Sequence, residues 1–246
     1  FSEEQNIVVS AYLKIPEAVE GFPALPVPNP LPRDWWDTAP LSHIKKYASQ
    51  LSNQFDTIIV DETQDFNGEW INSLIELHDP EGSQSLLMVG DWQQNIYQRD
   101  GKEAVDALAP TEAELVLNCR NSHEIGNLLY NLGGAQVANA SPDGQGLYFE
   151  YVTDMDSLVH WVEHFLEFFI GNLRHDPSKI LIVTRTSAER DAIRSSTPGG
   201  YVCSAYESAQ DENIVCETVF RAKGLEFDHV IFATIDANVK KSFLYV

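Results

Sequence analysis

The chain holds 246 residues, 37 acidic and 16 basic, for a formal charge of −21. Hydrophobic residues make up 43% and aromatics 11%, enough apolar material for a large core, which excludes disorder over most of the chain. No apolar run approaches the roughly 18–20 residues of a membrane span, no basic-then-apolar leader opens the chain, and Cys119, Cys203 and Cys216 are too scattered for a disulfide framework or a zinc set, so a cytoplasmic setting is expected.

Taken in chain order, residues 6–10 read as a short strand. Residues 23–32 read as an extended loop, because proline removes amide donors and fixes φ. A helix fits 41–51, with Leu41, Ile44, Ala48 and Leu51 on one side. Residues 57–60 form a strand ended by Asp61 and Glu62, 68–77 a helix burying Trp70, Ile71, Leu74 and Leu77, and 85–89 a second buried strand ended by Gly90 and Asp91. A third strand at 114–117 runs into Asn118-Cys119-Arg120-Asn121, and a helix follows at 123–132. The stretch 133–146, rich in Gly, Ala, Asn and Ser, reads as a boundary between 1–145 and 146–246. Beyond it come a strand at 147–152, a helix at 156–170, a strand at 179–184, a helix at 187–195, and strands near 201–204, 214–219 and 229–233. Apolar strands alternating with helices indicate an α/β fold with parallel sheets, in which ligands bind at the carboxyl ends of the strands.

The polar clusters sit at those ends. A hydrophobic strand delivering two adjacent carboxylates suits phosphoryl transfer, where the first can hold Mg²⁺ and the second can position and activate water. Here the pattern extends as Asp61-Glu62-Thr63-Gln64-Asp65-Phe66, and the next strand closes on Gly90-Asp91-Trp92-Gln93-Gln94-Asn95-Ile96-Tyr97. Asn118-Cys119-Arg120-Asn121, Val183-Thr184-Arg185-Thr186 and Ala222-Lys223-Gly224-Leu225-Glu226-Phe227 follow in order. With these residues the chain resembles the superfamily 1 helicases of the UvrD/Rep kind, whose motifs read VDExQDF, GDxxQxIY, NYR[SN], RTN and KGLEF.

That resemblance implies two RecA-like lobes with mainly parallel sheets, of P-loop NTPase type, with ATP in the cleft between them. It makes 1–145 a first lobe truncated at its N-terminus and 146–246 the second lobe. It implies that Asp61 binds Mg²⁺, that Glu62 is the catalytic base for water, and that Gln64 and Gln94 sense the γ-phosphate. Arg120 would stabilise the charge that grows on that phosphate, and Gly224 and Glu226 would lie by the nucleotide sugar. Arg99, Arg185 and Lys223 would face nucleic acid. The implied activity is that of an ATP-dependent DNA helicase or translocase acting on single-stranded or partly duplex DNA, without a membrane partner.

The chain departs from that pattern in several places. No G-x-x-x-x-G-K-[ST] sequence occurs among the 246 residues. The resemblance places this phosphate loop upstream of Phe1, and the last motif's arginine beyond Leu244-Tyr245-Val246. Arg99 and Asp100 stand where the family often has Trp and Arg, and Phe220 where it has His. A charge of −21 opposes phosphate binding by the overall field, so nucleic acid would need a locally basic groove. The chain by itself is therefore expected to fold without hydrolysing ATP appreciably. The alternative is a catalytically inactive helicase relative acting as a protein-interaction module. His160-Trp161-Val162-Glu163-His164 spells the H-x-x-E-H of a zinc hydrolase, but Leu158, Val162 and Leu166 make it an amphipathic helix.

Overall fold

The computed structural model describes residues 10–32, 34–50, 55–134, 136–138, 141–210 and 212–236. Of the strand expected at 6–10, all but Ser10 lies outside the described residues, as does the terminal 243–246. Contacts divide the chain into two units, Phe1–Ala113 and Glu114–Val246, ahead of the composition boundary at 145/146. The architecture is mixed α/β, and every strand pair among the described residues is parallel.

Unit 1 runs α1 (Ile15–Ala18), α2 (Trp35–Tyr47), β1 (Thr57–Val60), α3 (Gly68–Ile75), β2 (Ser85–Met88) and α4 (Gly101–Ala107). β1 pairs with β2 in register, Thr57 opposite Ser85 and Val60 opposite Met88. Side chains alternate across the pair, so Ile58, Val60, Leu86 and Met88 pack on the core while Ile59 and Leu87 stay 66% and 53% exposed. The core joins α2 and α3 to Tyr12, Ile15, Val19 and Phe22, a stretch with little periodicity of its own. Tyr12 stacks on Trp70 at 4.6 Å and its hydroxyl meets the Ser73 hydroxyl at 2.8 Å. Burial pushes the Tyr12 phenol up to about 12. α4 was not expected from the sequence. Gly101 opens it where an added Cβ would lie 2.3 Å from the Phe66 carbonyl oxygen.

Unit 2 runs β3 (Leu117–Asn118), α5 (His123–Asn131), β4 (Gln136–Val137), α6 (Met155–Leu166), β5 (Ile180–Thr184), α7 (Ser187–Ser196), β6 (Cys203–Ser204), β7 (Ile214–Thr218), α8 (Val219–Ala222) and β8 (His229–Ala233). The larger sheet has the order β6-β7-β5-β8. Every residue of β5 and β7 is buried, including the polar Thr184, Glu217 and Thr218 at their carboxyl ends, as in strands covered on both faces. Leu158, Val162 and Leu166 of α6 and Ile193 of α7 pack on Ile180, Ile182, Ile214 and Cys216. Both helices begin in capping boxes, Asp154 with Ser157 and Thr186 with Glu189. α6 passes into a wider π turn at Glu167–Asn172, past the end expected at 170.

Two expected strands are corrected. Residues 147–152 form no strand, and Phe149 and Tyr151 are 75% and 81% exposed. Strand propensity produces a strand only where a segment is laid beside a partner edge, and the order β6-β7-β5-β8 does not include this segment. The strand at 114–117 shrinks to Leu117–Asn118, leaving Leu115 91% exposed. Among the described residues no helix is long and apolar enough to cross a membrane.

Candidate functional site

The carboxyl ends of β1 and β2 bring Asp61, Glu62, Gln64 and Gln94 together in unit 1. After Val60 the chain turns through Asp61 and Glu62 into a single 3₁₀ turn at Thr63–Asp65. The Thr63 amide donates to the Val89 carbonyl at 3.0 Å and its hydroxyl lies 2.9 Å from the same oxygen, tying the turn to the end of β2. Glu62 sits in the left-handed region, φ 52° and ψ 44°, where a β-carbon is disfavoured. Its amide donates to Asp61 Oδ1 at 2.8 Å. Strain of this kind is found where surrounding structure dictates a side chain's direction.

Gln64 is 1% exposed. Its Nε2 donates to Glu62 Oε2, and its Oε1 accepts from the Asp91 amide at 3.0 Å. Asp91 in turn accepts from the Gln93 amide at 2.9 Å and from Gln94 Nε2 at 3.2 Å. One hydrogen-bonded chain thus links Glu62, Gln64, Asp91 and Gln94, with Asp91, a motif residue to which the sequence reading gave no role, as the organiser. Gln64, expected at the γ-phosphate, has both ends of its amide engaged inside this cluster. Gly90 leaves the space for it: an added Cβ would lie 2.5 Å from Gln64 Oε1 and 3.0 Å from the Thr63 nitrogen. Gly90→Ala is expected to displace the Gln64 amide and destabilise unit 1 by about 1–3 kcal/mol, the cost of unmade buried hydrogen bonds. Thermal unfolding checks this, and an unchanged midpoint would show that the cluster absorbs the methyl.

Asp61 and Glu62 are exposed, and Asp61 spends one oxygen on the Glu62 amide. Among the described residues no group of three or more His, Cys, Asp or Glu could cage a metal. A lone strand-end carboxylate nevertheless fits Mg²⁺ of the kind that keeps several waters and takes its other ligands from phosphates.

The arginines expected at nucleic acid are engaged with protein groups. Arg99 lies over the Trp70 ring at 5.0 Å and pairs with Asp37 at 2.8 Å, its backbone clamped by Asn95. Arg185, after the carboxyl end of β5, pairs with Asp236 at 2.7 Å.

In unit 2, Lys223 and Gly224 are the central residues of a tight turn closed by the Leu225 amide on the Ala222 carbonyl at 2.9 Å. Lys223 has φ −53° and ψ 130°, and Gly224 has φ +81°. These are type II values, which require φ > 0 at the second central residue. Nothing lies within 4 Å of a Cβ built on Gly224, so backbone conformation, not crowding, calls for glycine. Gly224→Ala is therefore expected to cost about 1 kcal/mol and Gly224→Asn less, read as shifts in the unfolding midpoint. Beyond the turn, Glu226 stands 3.7 Å from Arg120, with side chains 73% and 78% exposed. A pair this open adds little stability and leaves both groups accessible. A hollow of about 400 Å³ lies beside Glu226, lined also by Ser178, Lys179, Tyr206, Gly224 and Asp228. Ser178, Lys179 and Asp228 precede β5 and β8, so the hollow lies at the amino end of the sheet and Arg185 at the carboxyl end. The H-x-x-E-H segment, expected to be an amphipathic helix, lies on α6, where Glu163 accepts from the Gly199 amide at 3.1 Å.

Two buried acids brace this unit, and sequence reading missed both. Glu189, 2% exposed, accepts from Thr186, from the Thr234 hydroxyl at 2.8 Å and from the Ile235 amide at 2.9 Å. Burial pushes its pKa up, but these hydrogen bonds outweigh burial and hold it below the ordinary value. A lowered folded pKa gives stability that is present above the unfolded value and lost as pH falls through the folded one. Unit 2 is therefore expected to lose stability as pH drops below about 4.5, and Glu189→Gln to flatten that dependence while lowering the midpoint at neutral pH. Parallel pH–melting curves for the two proteins would refute this. Glu217, 1% exposed on β7, lies 3.2 Å from Arg194 and 3.1 Å from Arg221.

Residues 34–100 match the family model of an AAA domain. The matched stretch contains α2, β1, α3, β2 and the whole Glu62–Gln64–Asp91–Gln94 chain. It supports a nucleotide-hydrolysing protein of the P-loop NTPase, helicase-like class. Comparison with curated proteins returns no match.

Proposed function

We propose that the chain carries core elements of an ATP-dependent, Mg²⁺-requiring DNA translocase or helicase of the UvrD/Rep-like kind. The observation that carries this reading is the convergence of Asp61, Glu62 and Gln94 at the carboxyl ends of two parallel strands, joined through Gln64 and Asp91. Asp61 would hold Mg²⁺, which neutralises charge on the phosphates. Glu62 would take the proton of the attacking water, and Gln94 would orient that water and a γ-phosphate oxygen. Arg120, exposed and only loosely paired, is free to stabilise transition-state charge. Gly224 and Glu226, beside the hollow, suit a sugar, since a carboxylate accepts from ribose hydroxyls. Lys223, with Arg99 and Arg185 once released from Asp37 and Asp236, would meet single-stranded or partly duplex DNA. Three free thiols fit a cytoplasmic setting.

A second reading, an inactive helicase relative acting as an interaction module, is favoured by one observation. Arg99 and Arg185 are both neutralised by acids in a chain at −21. The test joins the chain to a segment bearing a G-x-x-x-x-G-K-[ST] loop and measures phosphate release with and without single-stranded DNA. DNA-stimulated hydrolysis whose kcat falls in Arg120→Ala supports the motor. No hydrolysis, or a purely KM effect of Arg120→Ala, overturns the assignment.

A further inference from the structure

The amide of Gln64 joins the ends of two strands that the sequence leaves unconnected. Glu62 follows β1 and Asp91 follows β2, and Gln64 reaches both. A carboxamide can donate and accept at once from one planar group without changing its charge. Gln64 uses the two functions in opposite directions, Nε2 toward the Glu62 carboxylate and Oε1 toward the Asp91 amide. At 1% exposure it exchanges neither bond with water, so losing either would strand a buried polar group. The bond to Glu62 acts on a residue held at φ 52°, and the bond to Asp91 fixes the backbone amide of the residue whose carboxylate accepts from Gln94 Nε2 at 3.2 Å. Gly90 has no side chain in the space the amide fills.

We propose that Gln64 is a positioning residue. It sets the direction of the Glu62 carboxylate and, through Asp91, of the Gln94 amide, and it does not contact the nucleotide. The consequence for hydrolysis rests on the reading above; the positioning itself stands on the geometry of unit 1.

Other side chains separate this role from simple filling of space. Methionine matches the length and volume of glutamine and makes neither bond. Glutamate keeps the acceptor for the Asp91 amide and replaces the donor to Glu62 with a like charge. The experiment is amide hydrogen exchange by NMR on the 246-residue chain without nucleotide, for the wild type, Gln64→Met and Gln64→Glu. In the wild type the Gln64 side-chain amide protons are expected to exchange at least tenfold more slowly than those of free glutamine. The Asp91 amide is expected to exchange at least tenfold faster in Gln64→Met and at close to the wild-type rate in Gln64→Glu. Amides of β5 and β7 in unit 2 serve as the internal control and should not change. Wild-type protection of Asp91 in Gln64→Met would reduce Gln64 to packing and overturn the proposal. Free exchange of the Gln64 amide in the wild type would overturn it too, and that measurement stands even if neither variant folds. The nucleotide reading is judged on DNA-stimulated hydrolysis and this proposal on exchange rates, so either can fail without the other.

Discussion

Glu62→Gln is expected to leave ATP binding intact and to lower turnover by about 10²–10⁴-fold, the usual loss when a general base is removed. Glutamine keeps the shape of the side chain and can still meet its neighbours, but it cannot take a proton from water. The measurement is steady-state phosphate release by the chain joined to a phosphate loop, with single-stranded DNA present, alongside nucleotide affinity by calorimetry. The 246-residue chain alone is expected to release no phosphate above background. Phosphoryl transfer depends on charge positioned around the β- and γ-phosphates, and no G-x-x-x-x-G-K-[ST] cradle is among these residues. Near-normal turnover in Glu62→Gln would remove Glu62 from the role of base. Release by the chain alone that disappears in Glu62→Gln would show that these residues already complete a site.

Arg194→Met is expected to cost unit 2 about 3 kcal/mol, the lower end of what breaking a buried ion pair costs, or roughly 10 °C in melting temperature for a unit of this size. Arg194 donates to the Cys216 carbonyl and faces Glu217, whose side chain is 1% exposed. Arg221, the other partner, is half exposed and shared with Glu207. Removing Arg194 therefore leaves a carboxylate in the centre of the sheet with one solvent-screened cation. Adding Glu217→Leu to Arg194→Met should recover part of the loss, because removing both charges avoids the uncompensated one. A single variant within 1 kcal/mol of the wild type would assign Glu217 to Arg221 alone, and a double variant no better than the single would locate the loss in packing.

Strands that are buried on both faces were legible. Residues 180–183 and 214–216 are apolar throughout, and such runs bounded by polar residues leave few alternatives to a central parallel strand. The helices at 68–75 and 155–166 were legible because apolar spacing near 3.6 coincides with caps at Asn67 and Asp154. The convergence of Asp61 and Gln94 followed from a general property of parallel sheets, that consecutive strands end on the same side. The segment 147–152 was misread because aromatic and aliphatic content is a property of the segment, whereas a strand is a property of a pair.

The sequence by itself determined the α/β class, the parallel strands and the order of acids, amides and arginines at their ends, since each depends on neighbours within a few residues. Only the tertiary structure decided which of those polar groups face solvent and which are engaged. Gln64 meets Asp91 across 27 residues, and Glu189 meets Ile235 across 46. Arg99 is matched to Asp37 and Trp70, and Arg185 to Asp236, by packing that no local pattern encodes. The physical reason is that a buried donor or acceptor must find a partner wherever the fold places one, and the distance to that partner along the chain is set by topology.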